Sequence, residues 1–221
     1  MTKLIIAIVF TLTSIFANAQ LKGTGKTVTK TYDYKTFDKL SFEGLNDDIQ
    51  VEIGTSFKVE ITMKETNEKN IQFVYDEKET ELSLKVKAKT GKELYDERDT
   101  YQIKITMPEI SVLKNFGNSD INVKGIIGRY FRAETSGNGS IICQGTIDQL
   151  DIEKVGNGDI NAKKLIAKNA KIKNIGNGNV LVNVSENLEG NLVGNGDIQN
   201  IGKAQFSAKS TKKGNGNLIV D

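Results

Sequence analysis

Residues 156–160 read Gly156-Asn157-Gly158-Asp159-Ile160. The same pentad recurs, with small changes, at Gly117-Asn118-Ser119-Asp120-Ile121, Gly137-Asn138-Gly139-Ser140-Ile141, Gly176-Asn177-Gly178-Asn179-Val180, Gly194-Asn195-Gly196-Asp197-Ile198 and Gly214-Asn215-Gly216-Asn217-Leu218. Successive first glycines are 20, 19, 20, 18 and 20 residues apart. Glycine takes positive φ without steric cost and asparagine is the next most tolerant residue, so each pentad predicts a sharp bend, with glycines such as Gly158 at positive φ. A bend at this interval leaves room for two short strands. Such a unit cannot bury an apolar side alone, but it can when stacked on copies of itself. The expected fold class is therefore all-β, a parallel β-solenoid (β-helix) with rungs of about 20 residues. Stacking at about 4.8 Å would turn the six asparagines into a ladder of mutually bonded amides.

Alternation on either side of the bend sets the register. Ile121, Ile141, Ile160, Val180, Ile198 and Leu218 lie four residues after the first glycine, and Val123, Cys143, Ala162, Val182, Asn200 and Val220 lie two further on. A period of two places both sets inward, together with Phe131, Ala133, Leu150, Ile152, Ala170 and Ile172 before the bends. Cys143 then reads as a small core residue between Val123 and Ala162, not as a reactive thiol. Outward, five residues before each glycine, Arg132, Asp151, Lys171, Glu189 and Lys209 alternate in sign, as stacked neighbours should. Ile142, Leu181 and Ile219 alternate with Asn122, Asn161 and Gln199 on the other outer face. These exposed aliphatics are compatible with weak self-association.

The first twenty residues point to export. Leu4 to Phe16 is an apolar run too short to span a bilayer, and Ala17-Asn18-Ala19 is a small-residue cleavage pattern, so residues 1–19 read as a signal peptide and Gln20 as the mature N-terminus. The rest, 20–221, is expected to form a single β-solenoid domain, with 20–110 as irregular N-terminal rungs and cap and 111–221 as the regular Gly-Asn-Gly repeats. In the first part, Leu82, Leu84, Val86 and Ala88 alternate with polar residues, as do Tyr101, Ile103, Ile105 and Met107. Leu40 and Phe42, followed by Gly44-Leu45-Asn46-Asp47 and then Ile49 and Val51, look like a degenerate rung. Residues 89–100 are highly charged and belong in a loop. Pro108 ends a strand, where it removes no ladder hydrogen bond.

Composition narrows the function classes. Without Lys3, 29 basic residues face 28 acidic ones, which provides no global attraction to nucleic acid or to anionic membrane. A single cysteine excludes an internal disulfide, and 21 glycines with no tryptophan suit a thin core. There is no histidine, and the acids alternate with bases or sit at bends, so no convergent acid and base pair is visible and no catalytic residue is assigned. Calcium is the other chemistry to weigh. Asp120, Asp159 and Asp197 are separated by Ser140 and Asn179, which leaves carboxylates about 10 Å apart, against ligand distances of about 2.3–2.6 Å. These side chains are expected to bond backbone amides at the bends instead, so no metal or cofactor is assigned.

The cleavage pattern, the unit Phe37-x-x-Leu40-x-Phe42 with Asp48-Ile49-x-Val51, the strand ending in Met107-Pro108 and the repeated Gly-Asn-Gly-Asp-Ile units together resemble the putative auto-transporter adhesin, head GIN domain family of Bacteroidetes-type bacteria, over roughly residues 36 to 220. The resemblance implies a secreted or envelope β-solenoid. The function expected is that of a non-catalytic exported binding, adhesion or scaffold protein that is periplasmic, surface-held or extracellular. Its rigid surface would face a glycan or an envelope protein, with the contact residues left unassigned. The alternatives are a polysaccharide lyase or hydrolase on a β-helix, and a calcium-binding structural repeat protein.

Overall fold

The computed structural model describes residues 9–10, 26–87 and 100–221. The signal segment and its cleavage point fall outside the described residues, apart from the two-residue strand β1 (Val9–Phe10), and so does nearly all of the charged excursion at 89–100. No helix among the described residues is long and apolar enough to cross a membrane.

Four long strands carry the repeats: β10 (Ile121–Gly137), β11 (Ile141–Gly156), β12 (Ile160–Gly176) and β13 (Val180–Gly194). Each runs through both segments of a rung and pairs in parallel with the next. Three short strands continue the stack: β14 (Ile198–Asn200), β15 (Thr211–Lys213) and β16 (Leu218–Val220). Register aligns Gly117, Gly137, Gly156, Gly176 and Gly194 in one row. The chain is thus a parallel β-solenoid, as the spacing predicts.

The expected inward positions form the core. Ile121, Ile141, Ile160, Val180 and Ile198 stack in register and are buried, as are Phe131, Leu150, Ala170 and Leu188 on the other wall. Cys143 is buried opposite Val123. Side chains of this size contribute about 1.5–3 kcal/mol each when fully buried, so the stack of rungs is held mainly by these columns. Gly190 is the exception on its wall. An added Cβ there would meet the Phe206 ring at 2.7 Å, so Phe206 fills the space that a larger residue would occupy.

The two glycines of each bend have different reasons to be glycine. Gly137, Gly156, Gly176, Gly194 and Gly214 have φ between 117° and 144°. Gly158 does not share this conformation, which corrects the expectation of positive φ there. It is required by stacking, because a Cβ on Gly158 would lie 2.1 Å from the carbonyl oxygen of Gly139 in the rung before. Ser119 occupies the same place in the first pentad. The bend beneath it, 44–48, is one residue longer, and the serine side chain is accommodated and buried.

The N-terminal part combines rung segments with strands that close the end of the stack. Its elements are β2 (Thr27–Tyr32), β3 (Lys39–Glu43), β4 (Ile49–Ile53), β5 (Lys58–Lys64), the 3₁₀ turn η1 (Glu65–Asn70), β6 (Ile71–Asp76), β7 (Glu81–Val86), β8 (Gln102–Met107) and β9 (Val112–Gly117). β3 lies parallel between β9 and β7, and β4 parallel between β10 and β8. The degenerate rung 39–53 is therefore real, but the later pair β7 and β8 stacks outside it, out of chain order. Beyond that pair the pairing turns antiparallel: β5 on β8, β2 on β5, β1 on β2 and β6 on β7. These strands take up the ladder groups that an end rung would otherwise expose, which is how sheets avoid unguarded edges. Asp38 ties the crossover together. Its carboxylate accepts the hydroxyls of Thr80 and Ser111, and its carbonyl accepts the Ser111 N–H at 2.7 Å.

Candidate functional site

The outer face of one wall, built from β7, β3, β9 and the C-terminal segments of β10–β13, carries an ordered array of polar groups. Because strand residues alternate and rungs are in register, each outward position becomes a row. One row reads Lys39, Val112, Arg132, Asp151, Lys171 and Glu189. Lys209, expected to extend it, lies in a turn between Phe206 and β15 and is outside the paired strands. Arg132 reaches across to Glu153 at 2.6 Å, and Lys173 bonds Glu153 at 2.8 Å. The hydrogen bond from Lys173 is the largest influence on the Glu153 carboxyl and, with Arg132 also helping, holds it below its usual range although burial acts the other way. A neighbouring row runs Tyr130, Gln149, Asn169 and Asn187. In it the Asn187 amide donates to Asn169 at 2.6 Å, and Asp151 accepts from the Gln149 amide at 2.8 Å and from the Tyr130 hydroxyl at 3.1 Å.

At the N-terminal end of this face lies an open cleft of about 360 Å³, lined by Lys39, Asp76, Glu79, Glu81, Val112, Lys114 and Arg132. Val112 is the short member of the row between Lys39 and Arg132, and its size leaves the depression. Lys39 pairs with Glu79 at 3.1 Å and Lys114 with Glu81 at 2.6 Å. Each of these two carboxylates faces a cation, so the cleft offers paired charges that suit hydroxyl and amide ligands better than proton transfer. The sequence reading did not single out this cleft. It depends on β7 and β3 being neighbours, which alternation alone cannot reveal.

The bend edge is also ordered. Asn118 donates its amide to Asn46 at 2.9 Å, Asn138 to Asn118 at 3.0 Å, Asn157 to Asn138 at 2.8 Å, Asn177 to Asn157 at 2.8 Å, Asn195 to Asn177 at 2.8 Å and Asn215 to Asn195 at 3.1 Å. The expected ladder is present and extends one rung further, to Asn46. Beside it, Asp120 accepts the Ser140 N–H at 2.8 Å, Asp159 the Asn179 N–H at 2.7 Å and Asp197 the Asn217 N–H at 2.7 Å. The bend aspartates thus bond backbone amides, as expected, and among the described residues no cluster of acids, cysteine or histidine could hold a metal ion.

Behind the bends lies a feature that the sequence reading missed. Asn115, Thr135, Lys154 and Asn174 form an inward polar column, all buried. Asn115 donates to the Ser119 carbonyl at 2.8 Å and Asn174 to the Gly178 carbonyl at 3.0 Å, so the column satisfies the inner side of the bends. The Lys154 ammonium donates to the Gly156 carbonyl at 3.0 Å and to Asn174 Oδ1 at 3.1 Å. Burial lowers its pKa, and Asp159 opposes that shift. The available signal was a polar residue at an inward position, two before the glycine, in four successive rungs.

The array defines the class: a β-solenoid repeat protein whose surface is a set of side-chain rows in register. The chain belongs to the family described as "putative auto-transporter adhesin, head GIN domain", whose model matches residues 36–204. The fold is similar to that of a putative adhesin from Bacteroides fragilis NCTC 9343, with a TM-score of 0.67, 19% identity, and coverage of 89% of this chain and 97% of that one. It is also similar to a putative lipid binding protein from Parabacteroides distasonis ATCC 8503, with a TM-score of 0.56, 17% identity, and coverage of 90% and 98%. No curated protein matches the chain.

Proposed function

We propose that the chain is an exported, non-catalytic binding protein, cleaved after Ala19, whose outer face from the Lys39–Arg132 cleft along the Tyr130–Asn187 row receives a glycan of the cell envelope or its surroundings. The observation that carries this reading is the continuity of cleft and row. Arg132 lines the cleft and stands two residues from Tyr130, the first member of the row, on the same outer face of β10, and the amides and charged groups repeat at the strand spacing of about 4.8 Å, a pitch suited to an extended, hydroxyl-bearing chain. Tyr130, exposed beside Arg132, offers a flat apolar surface for sugar C–H groups. The adhesin description of the family and of the Bacteroides fragilis structure supports the same class of role. A binding screen of the purified chain against envelope polysaccharides and surface proteins, with a hydrolysis assay beside it, tests the reading. The expected result is a glycan that binds without being cut and is released by Tyr130→Ala and by Asn169→Ala. Cleavage of the glycan, or binding indifferent to both changes, would overturn it.

A further inference from the structure

The other bend of the rungs, across from the asparagine ladder, is not absorbed by that reading. In register along it lie Ile127, Thr146, Ile166 and Asn183. Ile201 continues the row, its N–H donating to the Val182 carbonyl beside Asn183 at 2.9 Å. The three isoleucines, on alternate rungs, are 73%, 53% and 40% exposed, and Ile127 is the most exposed of the large apolar side chains described. In β10 the bend is shaped by Gly125 and Gly128, both at positive φ, on either side of the Ile126–Ile127 pair. Around this ridge stand Lys124, Arg129, Lys163, Lys164, Lys168 and Lys203, all exposed, against four carboxylates, Glu52 beside Lys124, Asp148, Glu186 and Asp221 beside Ile201. Lys168 is paired with Asp148 at 2.7 Å.

We infer that this ridge docks the solenoid on an anionic lipid surface. Three features select that occupant. The ridge is convex, whereas protein hot spots and small ligands are seated in pockets, and the two depressions described on this molecule lie elsewhere. Its composition, aliphatic tips ringed by lysine and arginine, matches an interface where apolar groups enter the acyl boundary and cations meet headgroup phosphates. Charge is also sorted across the rung. The ladder edge carries Asp47, Asp48, Asp120, Asp159 and Asp197 against Lys212 and Lys213 at its last bend, a net negative edge opposite a net positive ridge, so a negative surface favours the orientation with the ridge toward it. The near-neutral total charge of the chain conceals this separation.

Vesicle co-sedimentation of the purified chain tests the inference. Equimolar phosphatidylcholine and phosphatidylglycerol vesicles should retain it, and phosphatidylcholine alone should not. With each surface cation contributing a factor of roughly five to six, Lys163→Gln with Lys164→Gln should weaken retention about thirtyfold. Ile127→Asn with Ile166→Asn should weaken it at least about tenfold while leaving the circular dichroism unchanged, since both side chains are outside the core. The chain has no tryptophan, so Ile166→Trp is a single fluorescent reporter whose emission should shift to the blue on the anionic vesicles, and Val155→Trp, on the ladder side, should not shift. Wild-type retention by the double asparagine variant, an unmoved Ile166→Trp emission, or a dimer that the asparagine variant abolishes with vesicles ignored, would each overturn it. Glycan binding on the other face is read separately, so failure here leaves the proposed function standing.

Discussion

At the residue scale, the second glycine of each bend is decided by the rung beneath it and not by its own torsion angles. Gly158→Ala places a methyl carbon 2.1 Å from the Gly139 carbonyl oxygen. Relief requires the two rungs to separate, and overpacking of this kind typically costs about 1–3 kcal/mol. Urea unfolding should show that loss for Gly158→Ala, and a change under about 0.5 kcal/mol for Lys171→Gln, whose ion pair with Glu189 is exposed. Ser119→Gly is the matched control, because the longer bend beneath Ser119 already accommodates a side chain. Cys143 makes a second test. Burial pushes its thiol up to about 12, so the native thiol should ignore a neutral-pH thiol reagent and react fully only in denaturant. The sign follows from linkage: a group whose folded pKa is raised lends stability below its unfolded pKa, near 8.5, and that stability is lost as pH climbs toward about 12. Tyr32, also pushed up to about 12, chiefly by burial, acts in the same direction from about 10 upward. Cys143→Ala should therefore flatten the alkaline loss of melting temperature.

At the scale of the element, the bend column alternates between charged and neutral members, Asp120, Ser140, Asp159, Asn179, Asp197 and Asn217, and the alternation has an electrostatic reason. Carboxylates two rungs apart are about 10 Å apart, close to one Debye length at moderate salt, whereas adjacent ones would be about 4.8 Å apart. Asn179→Asp puts three in succession. At that spacing each new pair opposes folding by roughly 1 kcal/mol in water-like surroundings. The variant should lose on the order of 1–2 kcal/mol at low salt and recover most of it in concentrated sodium chloride, as read by urea titrations at the two ionic strengths. This element was legible in the sequence because everything that defines it repeats: the glycine spacing, the asparagine and the inward aliphatics. The polar column of Asn115, Thr135, Lys154 and Asn174 repeats in position but not in residue type, and Lys154 at a buried site contradicts the hydropathy on which inward assignments rest. The outer face was legible as charge alternation from Arg132 to Glu189. Its cleft was not, because Lys39, Glu79, Glu81, Lys114 and Arg132 come together only through the out-of-order stacking of β7 on β3.

On the scale of the whole molecule, the same limit explains why the sequence implies rungs and a cap within 20–110 without dividing the strands between the two. Alternation with a period of two is common to parallel and antiparallel strands, so β2, β5 and β6 look like rung segments in sequence while they pair as an antiparallel cap. Where the cap joins the repeats, the pairing has a consequence for folding. The first repeat rests on β3 and β4, which pair with β9 and with the start of β10 across more than seventy residues of chain, Leu40 beside Leu113 and Ile49 beside Ile121. Removing residues 1–110 would bare two rows of ladder hydrogen-bonding groups and the apolar faces of Leu113, Ile121, Val123 and Phe131, all buried in the intact chain. A rung buries its core only against its neighbours, so a terminal repeat without a cap loses both its partner and its solubility. The expected outcome is that a fragment of residues 111–221 fails to give the strand circular dichroism of the intact chain as a monomer and instead forms dye-binding oligomers. A fragment of 26–221 should unfold in one cooperative step, with Asp38→Ala lowering its midpoint by loosening the crossover held by Thr80 and Ser111. A monomeric 111–221 fragment with its own cooperative transition would mean that the two parts are separate domains, and that the β3–β4 rung is a docked neighbour and not the floor on which the repeats are built.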